Sequence, residues 1–113
     1  MPRVACTVLA ALTIASCSTD PNSPAARESN AVTACDMVVT QTLVAQNSYK
    51  PEFPWHFTDM DDGTGFVRRT FDATNGFGGT ITSKYECTFR YVASTVIMLR
   101  VSKPSGGWKQ IIG

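Results

Sequence analysis

Four cysteine thiols are the side chains of this sequence with the most distinctive chemistry, and they stand at positions 6, 17, 35 and 87. No two of them form a C-x-x-C pair, the spacing typical of zinc ribbons and of thioredoxin-type redox motifs. The chain also has a single histidine, so it offers few other nitrogen or sulfur ligands for a metal. We therefore expect no bound metal and no cofactor.

The segment before Cys17 has the composition of an export signal. Arg3 supplies one positive charge, and the apolar stretch VACTVLAALTIAS follows it over residues 4–16. This stretch has the length of a signal-peptide apolar region and is shorter than the about twenty residues that a membrane-spanning helix needs. The sequence predicts a signal peptide over residues 1–16, with Cys6 in the part that is removed.

The residues Ile14-Ala15-Ser16-Cys17 resemble the lipobox of bacterial lipoproteins. The resemblance implies that the sulfur of Cys17 receives a diacylglyceryl group and that a signal peptidase cuts just before it. Two or three acyl chains, at about 0.8 kcal/mol per buried methylene, give stable anchoring in a membrane. Cys17 is thus the predicted lipidation site. The alternatives are ordinary signal-peptide cleavage and a buried N-terminal helix or strand in which Cys17 is an ordinary apolar residue.

A polar spacer, STDPNSPAARESN, follows over residues 18–30. It contains two prolines and almost nothing apolar, so it cannot bury enough surface to fold by itself. We predict that residues 17–30 form a lipidated cysteine with a flexible tether that lifts a single domain, residues 31–113, off the bilayer.

Cys35 and Cys87 fall on the apolar faces of two different predicted elements. Apolar residues recur at helical spacing in the first element and predict a helix over residues 31–47, capped by Ser29 or Asn30; they are Val32, Cys35, Val39 and Leu43. Cys87 lies on the apolar side of a strand. In an exported chain these two thiols predict a disulfide. The alternative is that one of them is a catalytic thiolate, for which His56 is the sole histidine base.

Strand patterns fill the rest of the chain. The clearest is TITSKYECTFRYV, residues 80–92, in which apolar residues at odd positions alternate with polar residues at even positions, as in a strand with one wet face. The apolar residues are Ile81, Tyr85, Cys87, Phe89 and Tyr91, and the polar ones are Thr80, Thr82, Lys84, Glu86, Thr88 and Arg90. WHFTDM, FVRRTFDA, TVIMLRV and WKQII predict further strands. The predicted fold class is α+β, with one N-terminal helix packed on an antiparallel β-meander and stapled by one disulfide.

Two loops could hold a ligand. In DATNGFGG, the residues Asp72, Asn75, Gly76 and Gly78 form either a ligand loop or a hairpin turn, and Asn75-Gly76 favours the turn. The motif lacks the GxxxxGK[ST] spacing of a phosphate loop. In DMDDGTG, three aspartates could bind calcium, but the spacing misses the EF-hand pattern and favours a solvated turn.

Charged residues on the strands suggest a docking surface. Arg68 and Arg69 are adjacent on one strand and must point to opposite faces, so we expect at least one of them to pair with an acid. The polar face that includes Lys84 and Arg90 could dock a partner, and it is also what any solvated antiparallel sheet presents. The formal charge of +1 gives no support for nucleic-acid binding.

The segments ACDMVV, PEFPW and FDATNGFGGTITSKYECTFRY resemble a family of small bacterial and phage exported proteins and lipoproteins. Its members carry a helix with a cysteine, an FP or FPW step, a VDAQNxFGA-like turn and a YxCxV-like strand. The matching positions are Cys35, Phe53, Pro54, Asp72, Ala73, Asn75, Phe77, Gly78, Tyr85 and Cys87. Thr74 and Gly79 depart from the pattern. The resemblance implies fold and export and assigns no activity.

The sequence therefore predicts a lipoprotein of the cell membrane or outer membrane, with its domain outside the cytoplasm. We expect binding or interaction with an envelope protein partner rather than catalysis. One alternative is a small envelope hydrolase, and another is a phage- or prophage-encoded lipoprotein for surface exclusion. The membrane is the expected contact of the lipid anchor, and neither nucleic acid nor metal is an expected partner.

Overall fold

A single α-helix lies across one face of a six-stranded antiparallel sheet in residues 23–113, the residues that this computed structural model describes. The predicted signal peptide and Cys17 lie outside the described residues. The helix, α1, spans Pro24–Gln41, and a short 3-10 helix spans Gln46–Ser48. The strands are β1 (Lys50–Pro51), β2 (His56–Asp59), β3 (Thr64–Thr74), β4 (Thr80–Arg90), β5 (Thr95–Ser102) and β6 (Trp108–Ile112).

The helix begins earlier than the predicted residue 31, because a capping signal lies inside the polar spacer. The Ser23 hydroxyl accepts a hydrogen bond from the Ala26 amide at 3.2 Å, and Pro24 occupies the first turn. Proline is favoured there because its missing N–H would have no partner anyway. Ser29 and Asn30 lie within the helix and are not its cap. Residues 24–30 are therefore helical, which corrects the predicted tether over residues 17–30.

The helix also ends earlier, at Gln41 rather than at residue 47. Thr42 closes it, since its backbone N–H and its hydroxyl both donate to the Val39 carbonyl, at 3.0 and 2.7 Å. The β-branched residues at the end of the run have lower helix propensity than straight-chain residues, which agrees with the early stop.

The sheet is a meander from β3 to β6, to which two short strands are added at one edge. β3 and β4 are each 11 residues long and pair from Thr64↔Arg90 to Thr74↔Thr80. β1 and β2 both pair with β3 on its other side. β1 was not predicted because it is only two residues long and contains Pro51, which is tolerated at a sheet edge.

The core lies between α1 and the sheet, and a disulfide crosses it. Cys35 of α1 and Cys87 of β4 are bonded, with an S–S distance of 2.13 Å, and both residues are fully buried. This confirms the predicted disulfide and contradicts the catalytic-thiolate alternative, because a disulfide sulfur carries no thiolate. The buried apolar residues around it are Ala31, Val32, Val39, Val67, Phe71, Ala73, Tyr85, Phe89 and Leu99. Within residues 23–113, no helix has both the length and the apolar character of a membrane span.

Candidate functional site

The face of the sheet opposite α1 carries a row of ion pairs centred on Glu86. Arg100 Nε and Nη2 lie 2.8 and 2.5 Å from Glu86 Oε1, and Arg68 Nε lies 3.2 Å from Oε2. The three residues are register partners on β3, β4 and β5. Antiparallel pairing therefore places them side by side on one face, which we call the open face.

Glu86 is almost fully buried, although it lies on the sheet face opposite α1. Its exposed fraction is 8%, whereas the side chains of Arg68 and Arg100 are 53% and 38% exposed. The arginines thus cover the carboxylate and keep part of each guanidinium in solvent. A buried carboxylate requires such partners, because an unpaired charge is expensive to remove from water.

Trp108 of β6 extends the row. The guanidinium carbon of Arg100 lies 4.4 Å from the centre of the Trp108 ring, within the range of a cation–π contact. The Arg100 guanidinium is therefore held by Glu86 on one side and by the indole on another. Its position is fixed before any ligand arrives.

The open face is rich in cations. By strand register it carries five cationic and two acidic side chains among residues 23–113; they are Lys50, Arg68, Lys84, Arg90 and Arg100 against Asp72 and Glu86. Asp72 accepts a hydrogen bond from the Thr82 hydroxyl at 2.6 Å, and Glu86 is covered by its arginines. His56 is exposed on the same face, opposite Arg68. The outward charge of this face is therefore positive, although the whole chain is nearly neutral.

A second polar cluster lies on the helix side of the sheet, around Asp36. Its carboxylate accepts hydrogen bonds from the hydroxyls of Tyr49 and Tyr85 at 2.6 and 2.7 Å, and from Arg69 Nη1 at 2.8 Å. Burial, together with the hydrogen bond to Asp36, raises the pKa of Tyr49 and of Tyr85 well above the usual range for tyrosine. The hydroxyls thus stay protonated and continue to donate.

The cluster around Asp36 continues to the start of the helix. Arg69 Nε donates to the Glu52 carbonyl at 3.0 Å, and its guanidinium carbon lies 4.7 Å from the centre of the Trp55 ring. Trp55 Nε1 donates to the Glu28 carboxylate at 2.7 Å. Because these groups pair with one another, the cluster joins α1 to the sheet. We assign it a structural role.

In both loops considered as ligand sites, several polar groups form hydrogen bonds within the chain, as expected of turns. Asn75 Oδ1 accepts hydrogen bonds from the amides of Phe77 and Gly79, both at 2.9 Å. Gly78 has a φ of +86°, which favours glycine at that position. Gly76 lies at the tip of the same turn, with open space around it. Asn75 thus satisfies the turn amides, and Asp72 accepts a hydrogen bond from the Thr82 hydroxyl.

The DMDDGTG segment, for which calcium binding was the alternative to a solvated turn, also uses its aspartates in contacts within the chain. Asp59 pairs with Arg27 at 2.9 Å and accepts the Asp61 amide at 3.1 Å. Asp62 accepts both the amide and the hydroxyl of Thr64. The Asp59 carboxyl has a lowered pKa, first because of the Asp61 amide and then because of Arg27. In the part of the chain that the structure describes, no three such side chains are grouped to hold a metal.

A cavity of about 210 Å³ opens beyond the end of α1. Its apolar lining includes Leu43, Phe71, Ile81, Val101 and Pro104. It exists because α1 ends before it reaches the tip of the β3–β4 hairpin. Phe77, at that tip, is 98% exposed.

The row on the open face was only partly visible in the sequence. The alternation in β4 placed Lys84, Glu86 and Arg90 on one polar face, and a paired arginine was expected at position 68 or 69. Both arginines are paired, Arg68 with Glu86 and Arg69 with Asp36. The burial of Glu86 was missed because it depends on the β4–β5 register, which brings Arg100 beside it.

Comparison with known proteins gives no match to any family model, curated protein or solved structure. The resemblances to lipoproteins and to a family of exported proteins therefore stay predictions from the sequence. The interpretation of the site depends on its own residues.

Proposed function

We propose that this chain is a lipid-anchored cell-envelope protein whose open face binds an acidic surface of an envelope protein. The observation that carries the binding function is the row in which buried Glu86 holds Arg68 and Arg100, with Trp108 against Arg100. The anchor is proposed from the lipobox-like residues that end at Cys17.

Pre-organisation is the physical argument for binding. A free arginine side chain loses about 2 kcal/mol of rotamer entropy when it is fixed in one position. In the row, Glu86 and Trp108 already hold Arg100, so a partner's carboxylate meets a guanidinium that has little freedom left to lose. Guanidinium groups also match carboxylates geometrically, through paired N–H donors. An ordinary solvated sheet face needs no buried carboxylate to position its cations.

The disulfide supports a location outside the cytoplasm. Disulfides persist in oxidising compartments and are rare in reducing ones. A bond between Cys35 and Cys87 at the centre of the core is compatible with a structural role in an exported domain. It agrees with the export signal predicted over residues 1–16.

The anchor is tested by the intact mass of the protein extracted from bacterial membranes with detergent. We expect the mass of residues 17–113 plus acyl groups, and we expect the acyl groups to be lost in a Cys17→Ser variant. A mass that matches an unacylated chain would reject the anchor.

Binding is tested with immobilised poly-glutamate as a model of an acidic protein surface. The variant Arg68→Gln with Lys84→Gln removes two cations from the open face and leaves the Arg100–Glu86 pair intact. The matched control, Lys103→Gln with Lys109→Gln, removes the same charge from the β5–β6 turn and from the opposite face of β6. Thermal melting establishes that both variants are folded.

The two variants should differ in their affinity for poly-glutamate. We expect at least a tenfold loss for the open-face variant and less than a threefold loss for the control, at the same salt concentration. Equal losses would mean that binding follows net charge alone, and the open face would not be the site.

A further inference from the structure

The start of α1 lies beside two sheet turns at the same end of the domain. Arg27 Nη1 is 2.9 Å from Asp59 Oδ2, and the Arg27 guanidinium carbon is 4.9 Å from the centre of the Tyr91 ring. Asp59 ends β2, and Tyr91 follows β4. The point at which the chain enters the folded domain is therefore next to the β2–β3 turn and the β4–β5 turn.

These two turns are joined and carry exposed apolar side chains. The Tyr91 amide donates to the Gly63 carbonyl at 3.1 Å, which links one turn to the other. Met60, in the first turn, is 49% exposed, and Val92, in the second, is 93% exposed. We call the residues 60–63 and 91–94 the entry end of the domain.

The chain outside the described residues is too short to lift the entry end far from its anchor. Only residues 18–22 separate Cys17 from the capping residue Ser23. Six Cα–Cα steps reach at most about 20 Å when fully extended. β3, with 11 residues, is longer, at roughly 35 Å. Because α1 begins at Pro24, the segment between Cys17 and the folded domain is shorter than the predicted tether, which extended to residue 30.

We propose that the entry end rests on the surface of the bilayer that holds the acyl chains of Cys17. This inference depends on the proposed lipid anchor. Met60 and Val92 contact the headgroup region, and the open face stands beside the membrane, accessible to a partner. The tip of the β3–β4 hairpin, with Phe77, points away from the bilayer.

The charges at the entry end set the kind of lipid surface that it fits. Asp61 and Asp62 are exposed there, and Asp59 is paired with Arg27. Carboxylates oppose deep insertion and are repelled by anionic headgroups. The contact is therefore shallow and suits a zwitterionic surface such as phosphatidylcholine or phosphatidylethanolamine.

Paramagnetic broadening of amide NMR signals tests the orientation. The acylated protein is placed in phosphatidylcholine nanodiscs that contain a headgroup-spin-labelled lipid, and signal loss is measured along the chain. We expect strong broadening at residues 60–63 and 91–94 and little at residues 76–78. Uniform broadening, or stronger broadening at 76–78, would overturn the proposal.

Two measurements on the same samples separate the possible failures. The intact mass reports acylation: if acyl groups are present without a gradient of broadening, the orientation is wrong while the anchor stands, and if they are absent, both proposals fall.

The variant Met60→Ser with Val92→Ser should reduce broadening at the entry end at least twofold. The control Val44→Ser, at the other end and 80% exposed, should leave it unchanged.

Discussion

Asp36 and Tyr85 are joined by a hydrogen bond of 2.7 Å immediately beside the disulfide, since Asp36 follows Cys35 and Tyr85 lies two residues before Cys87. The covalent bond and the hydrogen bond thus connect the same two elements, α1 and β4. The position of the helix on the sheet is specified by both bonds together rather than by apolar contacts alone.

The first prediction concerns alkaline pH. The pKa of Tyr85 is raised in the folded protein, first by burial and then by its hydrogen bond to Asp36, whereas the unfolded chain titrates near 10. Its contribution to stability is complete below pH 10 and is lost as the pH rises above 10, because only the unfolded state then releases the proton. We expect the free energy of unfolding to fall by up to about 1.4 kcal/mol per pH unit from this group. Urea titrations between pH 9 and pH 11.5 measure the slope.

The control for this prediction is Tyr85→Phe. It removes the titrating hydroxyl and should lose roughly 1.5–3 kcal/mol at pH 7, the net value of a hydrogen bond to a charged group. Its stability should then fall less steeply above pH 10 than that of the wild type. An equal slope in both proteins would show that the proton of Tyr85 is not the cause.

The second prediction concerns the disulfide. Replacement of both Cys35 and Cys87 by alanine removes a bond that spans 52 residues. Loop entropy predicts a loss of roughly 4 kcal/mol, a large part of the stability of a small domain. Urea denaturation measures the loss, and alkylation without reductant should modify neither cysteine in the wild type. A double variant as stable as the wild type would contradict the expectation.

The third prediction concerns the ion-pair row. Removal of Glu86 by Glu86→Gln leaves two guanidinium groups side by side without their carboxylate, and we expect a loss of about 1–3 kcal/mol. Arg100→Gln should lose less in the background of Glu86→Gln than in the wild type. A double-mutant cycle from thermal or urea denaturation should give a coupling energy of at least about 0.5 kcal/mol. A coupling energy of zero would mean that the contact adds no stability.

The fourth prediction compares two glycines. A Cβ at Gly65 would lie 2.6 Å from the Tyr91 hydroxyl oxygen and 2.8 Å from a ring carbon of Phe57, so Gly65→Ala forces both rings to move. We expect a loss of about 1–3 kcal/mol, as for overpacked cores. Gly76→Ala is the matched control, because no atom lies within 4 Å of its added Cβ. The stability of this control should change by less than about 0.5 kcal/mol. Similar losses of stability in both variants would show that steric crowding at Gly65 is not the cause of the loss.

Patterns with a fixed period were sufficient for most of the fold. The alternation in residues 80–92 placed Cys87 on the apolar face of β4, and helical spacing placed Cys35 on the apolar stripe of α1. The start of α1 was predicted wrongly because Ser23-Pro24, a capping pair, also reads as part of a polar spacer. The strand β1 was too short to leave a periodic signal.

The polar clusters could not be predicted in the same way. Asp36 lies off the apolar stripe, so its position predicts a solvent-facing helix residue. In the structure, three side chains from distant positions in the chain donate hydrogen bonds to its carboxylate. Glu86 occupies a wet position in the alternation, and its burial follows from long arginine side chains on neighbouring strands. Such contacts depend on strand register and on the crossing of the helix, and neither is encoded in local spacing.

The bond between Cys35 and Cys87 also makes the stability of the folded domain depend on whether these thiols have been oxidised. In a reducing compartment these thiols remain separate, and a loss of roughly 4 kcal/mol raises the unfolded fraction about a thousandfold. Under the proposed export, a newly made chain would thus be easier to unfold, and so easier to pass through a narrow secretion pore. Once the chain reaches an oxidising compartment, formation of the bond would disfavour the return to a threadable state.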